Sequence, residues 1–121
     1  MSIVDHVNLP VRDLQRARRF YEAALQPLGY RFLMQNGSAV GFGTSNWSFG
    51  VVQTTAPFPS IHLAFSANTA EQVLQFFEAA LQAGGRSNGE PGLRPHYHAS
   101  YYAAFVLDPD GHNIEAVFRG P

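Results

Sequence analysis

The sequence predicts an α+β fold of two β-α-β-β-β modules that form a curved mixed sheet around a cleft. Three observations carry this expectation. First, a stretch recurs at a constant offset of 56, which maps His6 onto His62, Phe20 onto Phe76, Glu22-Ala-Ala-Leu-Gln onto Glu78-Ala-Ala-Leu-Gln and Gly29 onto Gly85 without a gap. Self-similarity at a fixed offset dictates architecture, here two equivalent halves. Second, each copy opens on an alternating apolar segment and then passes into helical spacing. Third, the apolar runs that follow are short and separated by turn residues.

The elements follow in chain order. Residues 3–11 alternate, with Ile3, Val7, Leu9 and Val11 on one face and His6 and Asn8 on the other, as a half-buried strand does. Asp13 stands at an N-cap position before Leu14, Ala17, Phe20, Tyr21, Ala24, Leu25 and Leu28 at helical spacing, and Pro27 and Gly29 stop that helix. Three apolar runs come next, Tyr30–Gln35, Ala39–Phe42 and Ser48–Gln53. The Asn36-Gly37 between the first two is a strong hairpin signal. Residues 3–53 thus form the first module, and Thr54–Pro59 is a linker. In the second module, 60–119, Ser60–Ala67 is a strand with Ile61, Leu63 and Phe65 on its large apolar face. Asn68 or Thr69 caps a helix that ends at Gly84-Gly85. Residues 86–100 read as a long irregular loop. The strands Tyr101–Leu107 and His112–Phe118 are joined by the turn Asp108-Pro-Asp-Gly111.

Composition narrows the function. The 121 residues suffice for a single domain, 1–121, that buries roughly two-thirds of its unfolded surface. A net charge of −1 recruits neither nucleic acid nor an anionic membrane. All eight basic residues are arginine, so no Schiff-base or phosphate-loop lysine exists, and without cysteine there is no disulfide or thiolate ligand. No basic leader and no membrane-length apolar run is seen, so a cytoplasmic location is expected. Only 14% of residues are charged and 13% are aromatic, which suggests buried surface beyond one core and hence a homodimer.

The chemistry concentrates where the two halves face the cleft. His6 and His62 occupy equivalent positions on the faces turned away from the helices. Glu115 is a carboxylate inside an apolar strand, costly unless paired or bound to a cation. Ile114 and Ala116 claim the helix side, so Glu115 projects into the same cleft. Two imidazoles and one carboxylate form a set that suits Fe(II), Mn(II) or Zn(II) and leaves coordination positions open. A lone mid-strand histidine is more often structural, but two at symmetric positions beside an otherwise unpartnered carboxylate favour a metal. The loop Gly92-Leu-Arg-Pro-His-Tyr-His98 offers Arg94 as an anion clamp, and His96, His98, Tyr101 or Tyr102 as an acid or base. Trp47 and Phe49 suit an apolar wall or core packing equally, and Asn8 lies beside His6.

Asp5-His6-Val7-Asn8-Leu9-Pro10-Val11 followed by Asp13-Leu14 and Phe20-Tyr21 resembles the opening of the vicinal oxygen chelate superfamily. Ile61-His62-Leu63-Ala64-Phe65 and Phe105 through Glu115, with its Asp-Pro-Asp-Gly turn, resemble that superfamily's second half. It includes glyoxalase I, extradiol dioxygenases, fosfomycin-resistance thiol transferases and bleomycin-binding proteins. The resemblance implies a divalent metal (Mn, Fe, Zn or Ni) that chelates neighbouring oxygens of a small-molecule substrate, with His6, His62 and Glu115 as its ligands. It also leaves open whether modules pair within one chain or across a dimer. Glyoxalase I carries a fourth ligand near the end of the first module, where this sequence has only Gln53. The three-ligand branches therefore fit better, and a metal-free small-molecule-binding protein is the competing class.

Overall fold

A computed structural model describes residues 3–120. The strands of the first module are β1 (Val7–Val11), β2 (Arg31–Asn36), β3 (Ala39–Gly43) and β4 (Trp47–Gln53), with helix α1 (Leu14–Leu25) after β1. The second module repeats the order with β5 (His62–Ser66), α2 (Ala70–Gln82), β6 (Arg86–Leu93), β7 (Tyr101–Leu107) and β8 (Asn113–Arg119). Each module makes its own four-stranded sheet, ordered β1-β4-β3-β2 and β5-β8-β7-β6. In both, the first strand runs parallel to the last and the other neighbours are antiparallel.

Local chemistry sets the helix ends. Asp13 accepts from the Arg16 amide at 3.0 Å and Thr69 from the Gln72 amide at 3.1 Å, satisfying N-terminal donors that lack an intrahelical partner. The first helix tightens into a short 3-10 turn over Gln26–Leu28 and closes on Gly29 at φ 89, a left-handed position that glycine adopts without a Cβ penalty. No helix among the described residues is long and apolar enough to cross a membrane.

One buried cluster joins the two modules. Leu9 and Val11 of β1 pack with Phe20, Tyr21 and Ala24 of α1 and with Phe42, Phe49 and Val51, and the cluster continues into Phe65, Val73, Phe76 and Ile114. The Asp108-Pro-Asp-Gly turn fastens this junction. Tyr21 Oη donates to Asp108, the Arg12 amide donates to Asp110 Oδ1 at 3.0 Å, and the buried His112 bridges the modules. Its Nδ1 accepts from the Ile61 amide at 3.0 Å, which leaves the proton on Nε2 to donate to the Pro10 carbonyl at 2.8 Å. The motif therefore clasps one module to the other.

Two sequence expectations change. Residues 86–93 are the edge strand β6, not loop, so only 94–100 connect β6 to β7. Its Ser-Asn-Gly-Glu-Pro-Gly composition conceals a strand whose pairing slips at Ser87/Gly89 and Gly89/Gly92, and a proline is tolerated at an edge. The first strand begins at Val7, so His6 precedes it.

Candidate functional site

Strand alternation places the polar unit of the second sheet. Ile114, Ala116 and Phe118 of β8 turn to the core, so Asn113, Glu115, Val117 and Arg119 turn to the opposite, open face. On β7 the same rule sends Tyr102, Ala104 and Val106 inward, and Tyr101, Ala103 and Phe105 to the open face, where Tyr101, Ala103, Val117 and Phe105 form a small apolar cluster.

Glu115 is only 2% exposed, yet both of its oxygens are satisfied. His62, on the parallel neighbour β5 and in register with Asn113, reaches diagonally to place Nε2 at 2.8 Å from Oε1, and Tyr101 Oη donates to Oε2. Burial, followed by the hydrogen bond and negative charge of Glu115, pushes the Tyr101 hydroxyl up to about 12, against a smaller opposing pull from Arg119. The His62 side chain is 54% exposed, so the unit runs from a buried carboxylate to an imidazole at the surface of the face. Two donors each about 2.1 Å from one ion, at right angles, stand about 3.0 Å apart. The His62–Glu115 spacing and its nitrogen and oxygen chemistry therefore fit two positions of a divalent ion.

The third expected donor lies elsewhere. His6 sits on the open side of the first sheet, its Nδ1 2.8 Å from Asp5 Oδ2 and its ring 4.4 Å from that of Trp47. Among the described residues no three His, Cys, Asp or Glu side chains gather closely enough to hold a metal ion. One chain thus brings His62 and Glu115 together and leaves His6 apart. Gln53 is spent as well, because its Oε1 accepts from the Leu14 amide at 2.8 Å and so caps α1.

The remaining expected residues divide between cleft and core. Asn8 and Trp47 line a hollow of about 310 Å³ on the first sheet, over the paired glycines Gly41 and Gly50. Phe49 is 1% exposed and packs edge-on against Tyr21 and Phe65, so it is core. Simple alternation would have put it on the face of Trp47, but the pairing of β3 with β4 shifts between Phe42 and Gly43 and separates the two. Tyr102 likewise packs on the main core, opposite Tyr101. His98 Nδ1 accepts from the Ser100 amide at 3.2 Å and shapes the turn, while His96 is exposed against Tyr97. Arg94 is tied to carbonyls of its own segment. Sequence reasoning missed Phe105 and Asn113, although the alternation that exposed Glu115 also exposes Asn113.

The architecture and this face define a paired-module α+β protein with a histidine–carboxylate unit on an open sheet. The chain belongs to the Glyoxalase/Bleomycin resistance protein/Dioxygenase superfamily, whose family model matches residues 3–116. It is 31% identical over 125 residues to the protein YqjT of Bacillus subtilis (strain 168), covering 93% of this chain and 95% of that one. It is 32% identical to a protein of Brassica oleracea var. gemmifera provisionally named a lactoylglutathione lyase, but spans only 44% of it. Among solved structures it resembles a glyoxalase/bleomycin resistance protein from Albidiferax ferrireducens T118, with a TM-score of 0.87 and 31% identity over 98% of this chain and 100% of that one. The fosfomycin resistance protein FosX of Mesorhizobium loti shares the fold, with a TM-score of 0.71 at 20% identity over 100% of this chain and 94% of that one.

Proposed function

We propose that the protein is a divalent-metal-dependent enzyme of its superfamily, acting as a homodimer in which each reaction site is shared between chains. In this reading His62 and Glu115 of one chain and His6 of the other form the ligand set. The observation that carries it is the His62–Glu115 pair, 2.8 Å apart at the head of an open sheet face. A bound divalent ion would supply Lewis-acid polarisation of two neighbouring substrate oxygens and stabilise developing negative charge on them.

The chain's own residues supply the rest. Tyr101 holds Glu115 in place, and Phe105 provides an apolar wall beside His62, with ring centroids 6.1 Å apart. On the other half, Asp5 at Nδ1 sets the tautomer of His6, so that Nε2 offers its lone pair outward. The substrate is a small molecule with vicinal oxygens, and lyase, thiol-transfer and dioxygenase chemistry all suit such an arrangement. Metal-free binding of a small molecule is the second reading, favoured by one observation: Tyr101 and His62 already satisfy Glu115 without an ion.

Elemental analysis and thermal shift with Mn(II), Fe(II), Zn(II) and Ni(II) test the metal. About one ion per chain is expected for the wild type. Equal retention by wild type and a His62→Ala/Glu115→Gln variant would defeat this reading. Mixing refolded His6→Ala and His62→Ala chains tests the shared site. A heterodimer regains one complete site, so about one site in four should bind metal in an equimolar mixture, and no recovery would place each site within one chain.

A further inference from the structure

The second sheet carries a cationic group that the metal reading leaves unused. Arg94 follows the last residue of β6, and its guanidinium folds back along that strand. Nη2 donates to the Glu90 carbonyl at 2.7 Å and Nη1 to the Gly92 carbonyl at 2.9 Å, with a longer contact to Leu93 at 3.5 Å. Two glycines make room for it. A Cβ on Gly89 would stand 3.3 Å from Nη2, and one on Gly92 would stand 3.3 Å from Nη1. Gly89 also has φ +151, which side-chain-bearing residues rarely adopt.

An arginine bound in this way has lost most of its rotamer freedom before any ligand arrives. Neutral carbonyls satisfy three of its five N–H donors but do not cancel its charge. The Nε–H and one Nη2 hydrogen have no partner among the described residues, and no carboxylate there forms an ion pair with it. The guanidinium borders a hollow of about 320 Å³ shared with Asn88, His96, Tyr97, Phe105 and Asn113. No acidic side chain lines that hollow. Asn88 Nδ2 donates to Asn113 Oδ1 at 3.1 Å, and the remaining amide hydrogens of the pair are further neutral donors. Fixed positive charge, spare donors and no acid select an oxyanion.

The hollow adjoins the reaction face. The Phe105 ring lies 5.4 Å from the Arg94 guanidinium carbon and 6.1 Å from the His62 ring, so Arg94 and His62 are separated by no more than those two spans together. We infer that the Arg94 hollow is a carboxylate subsite, and that the substrate is a short carboxylate-bearing molecule. Its anionic end rests on Arg94 while its oxygens reach His62 and Glu115, an extension that rests on the reading of that face as the reaction site. A carboxylate places two coplanar oxygens against two donors of one planar guanidinium, and a hollow at the small end of ligand-site volumes admits a short molecule.

The test uses metal-stripped wild-type protein labelled with 15N-arginine, so its outcome is independent of metal binding. The Arg94 Nε–H resonance is assigned as the one missing from Arg94→Lys and is followed during titration with succinate, succinamide, inorganic phosphate and sodium chloride at matched ionic strength. Succinate should shift it saturably, with succinamide and chloride doing nothing comparable. Calorimetry should show succinate affinity at least tenfold weaker in Arg94→Lys, which keeps the charge but not the planar fork. Absence of a saturable shift, or an equal one with chloride, would overturn the subsite. Tighter binding of phosphate than of succinate would overturn its assignment to carboxylates.

Discussion

Replacing Tyr101 with phenylalanine isolates the polar unit of the second sheet. The change keeps the ring, and with it the contacts to Ala103 and Val117, and removes only the hydroxyl that donates to Glu115 Oε2. That oxygen belongs to a carboxylate only 2% exposed, so water does not readily replace the lost donor. A buried acceptor left unsatisfied costs about 1–3 kcal/mol. A chain of 121 residues unfolds with an entropy of about 0.25 kcal/mol/K, so Tm should fall by about 4–12 °C. Alkaline pH supplies a second reading of the same bond. The unfolded tyrosine loses its proton near 10, whereas folded Tyr101 holds it until about 12. Between those values the native state binds more protons than the unfolded state. The Tyr101 contribution is therefore complete below pH 10 and is lost as the pH rises through 12. Thermal melts at pH 8 and pH 10.5 should show the gap between wild type and Tyr101→Phe narrowing at the higher pH. A Tm within 1 °C of wild type at both pH values would mean that Glu115 does not depend on Tyr101.

Two further substitutions probe the junction and the first sheet. Tyr21→Phe removes the donor to Asp108, so urea unfolding should show a loss of about 1–3 kcal/mol with an unchanged m-value. Burial above all raises the Asp108 pKa while the Tyr21 hydrogen bond lowers it, so the deficit should be largest near neutral pH and shrink as the pH falls toward that raised value. Gly50→Ala puts a Cβ 2.3 Å from Asn8 Oδ1 and should displace that side chain at a cost of about 1–3 kcal/mol. Adding Asn8→Ala should recover most of the loss, and an additive double-mutant cycle would place the strain elsewhere.

What the sequence made legible follows from which signals are local. The repeat at offset 56 needs no tertiary information, and neither does the run from Asp13 to Gly29, where cap, helical face and stop agree. Strand β6 was opaque because Gly, Asn and Pro have low strand preference and its pairing is irregular; its partner β7 holds it in place, and a single segment cannot show that. Phe49 and Tyr102 lie in the core for two different reasons. A β-bulge inverts alternation on one side, and two adjacent tyrosines must point opposite ways. Glu115 was found because a carboxylate in an apolar strand demands an explanation. Tyr101, as its partner, required the register that sets β7 beside β8.

The separation of His6 from His62 bears most directly on how this chain works. The clasp at Asp108, Asp110 and His112 fixes the modules against each other through α1, β1 and the β7–β8 turn, and a buried cluster fills the junction. Moving His6 to Glu115 within one chain would require breaking that clasp and opening the core. A second chain requires neither. The first sheet presents an open face floored by Gly41 and Gly50, with Trp47 beneath His6 and Met34 exposed beside it. The second presents another, with His62 and Phe105 at its surface. His6 Nδ1 lies 2.8 Å from Asp5 Oδ2 on one face, and His62 Nε2 lies 2.8 Å from Glu115 Oε1 on the other. On the proposed reading each face is half of a ligand set. A dimer that laid the first face of one chain over the second face of another would complete two equivalent sets at once, as the isologous contact of a twofold dimer does.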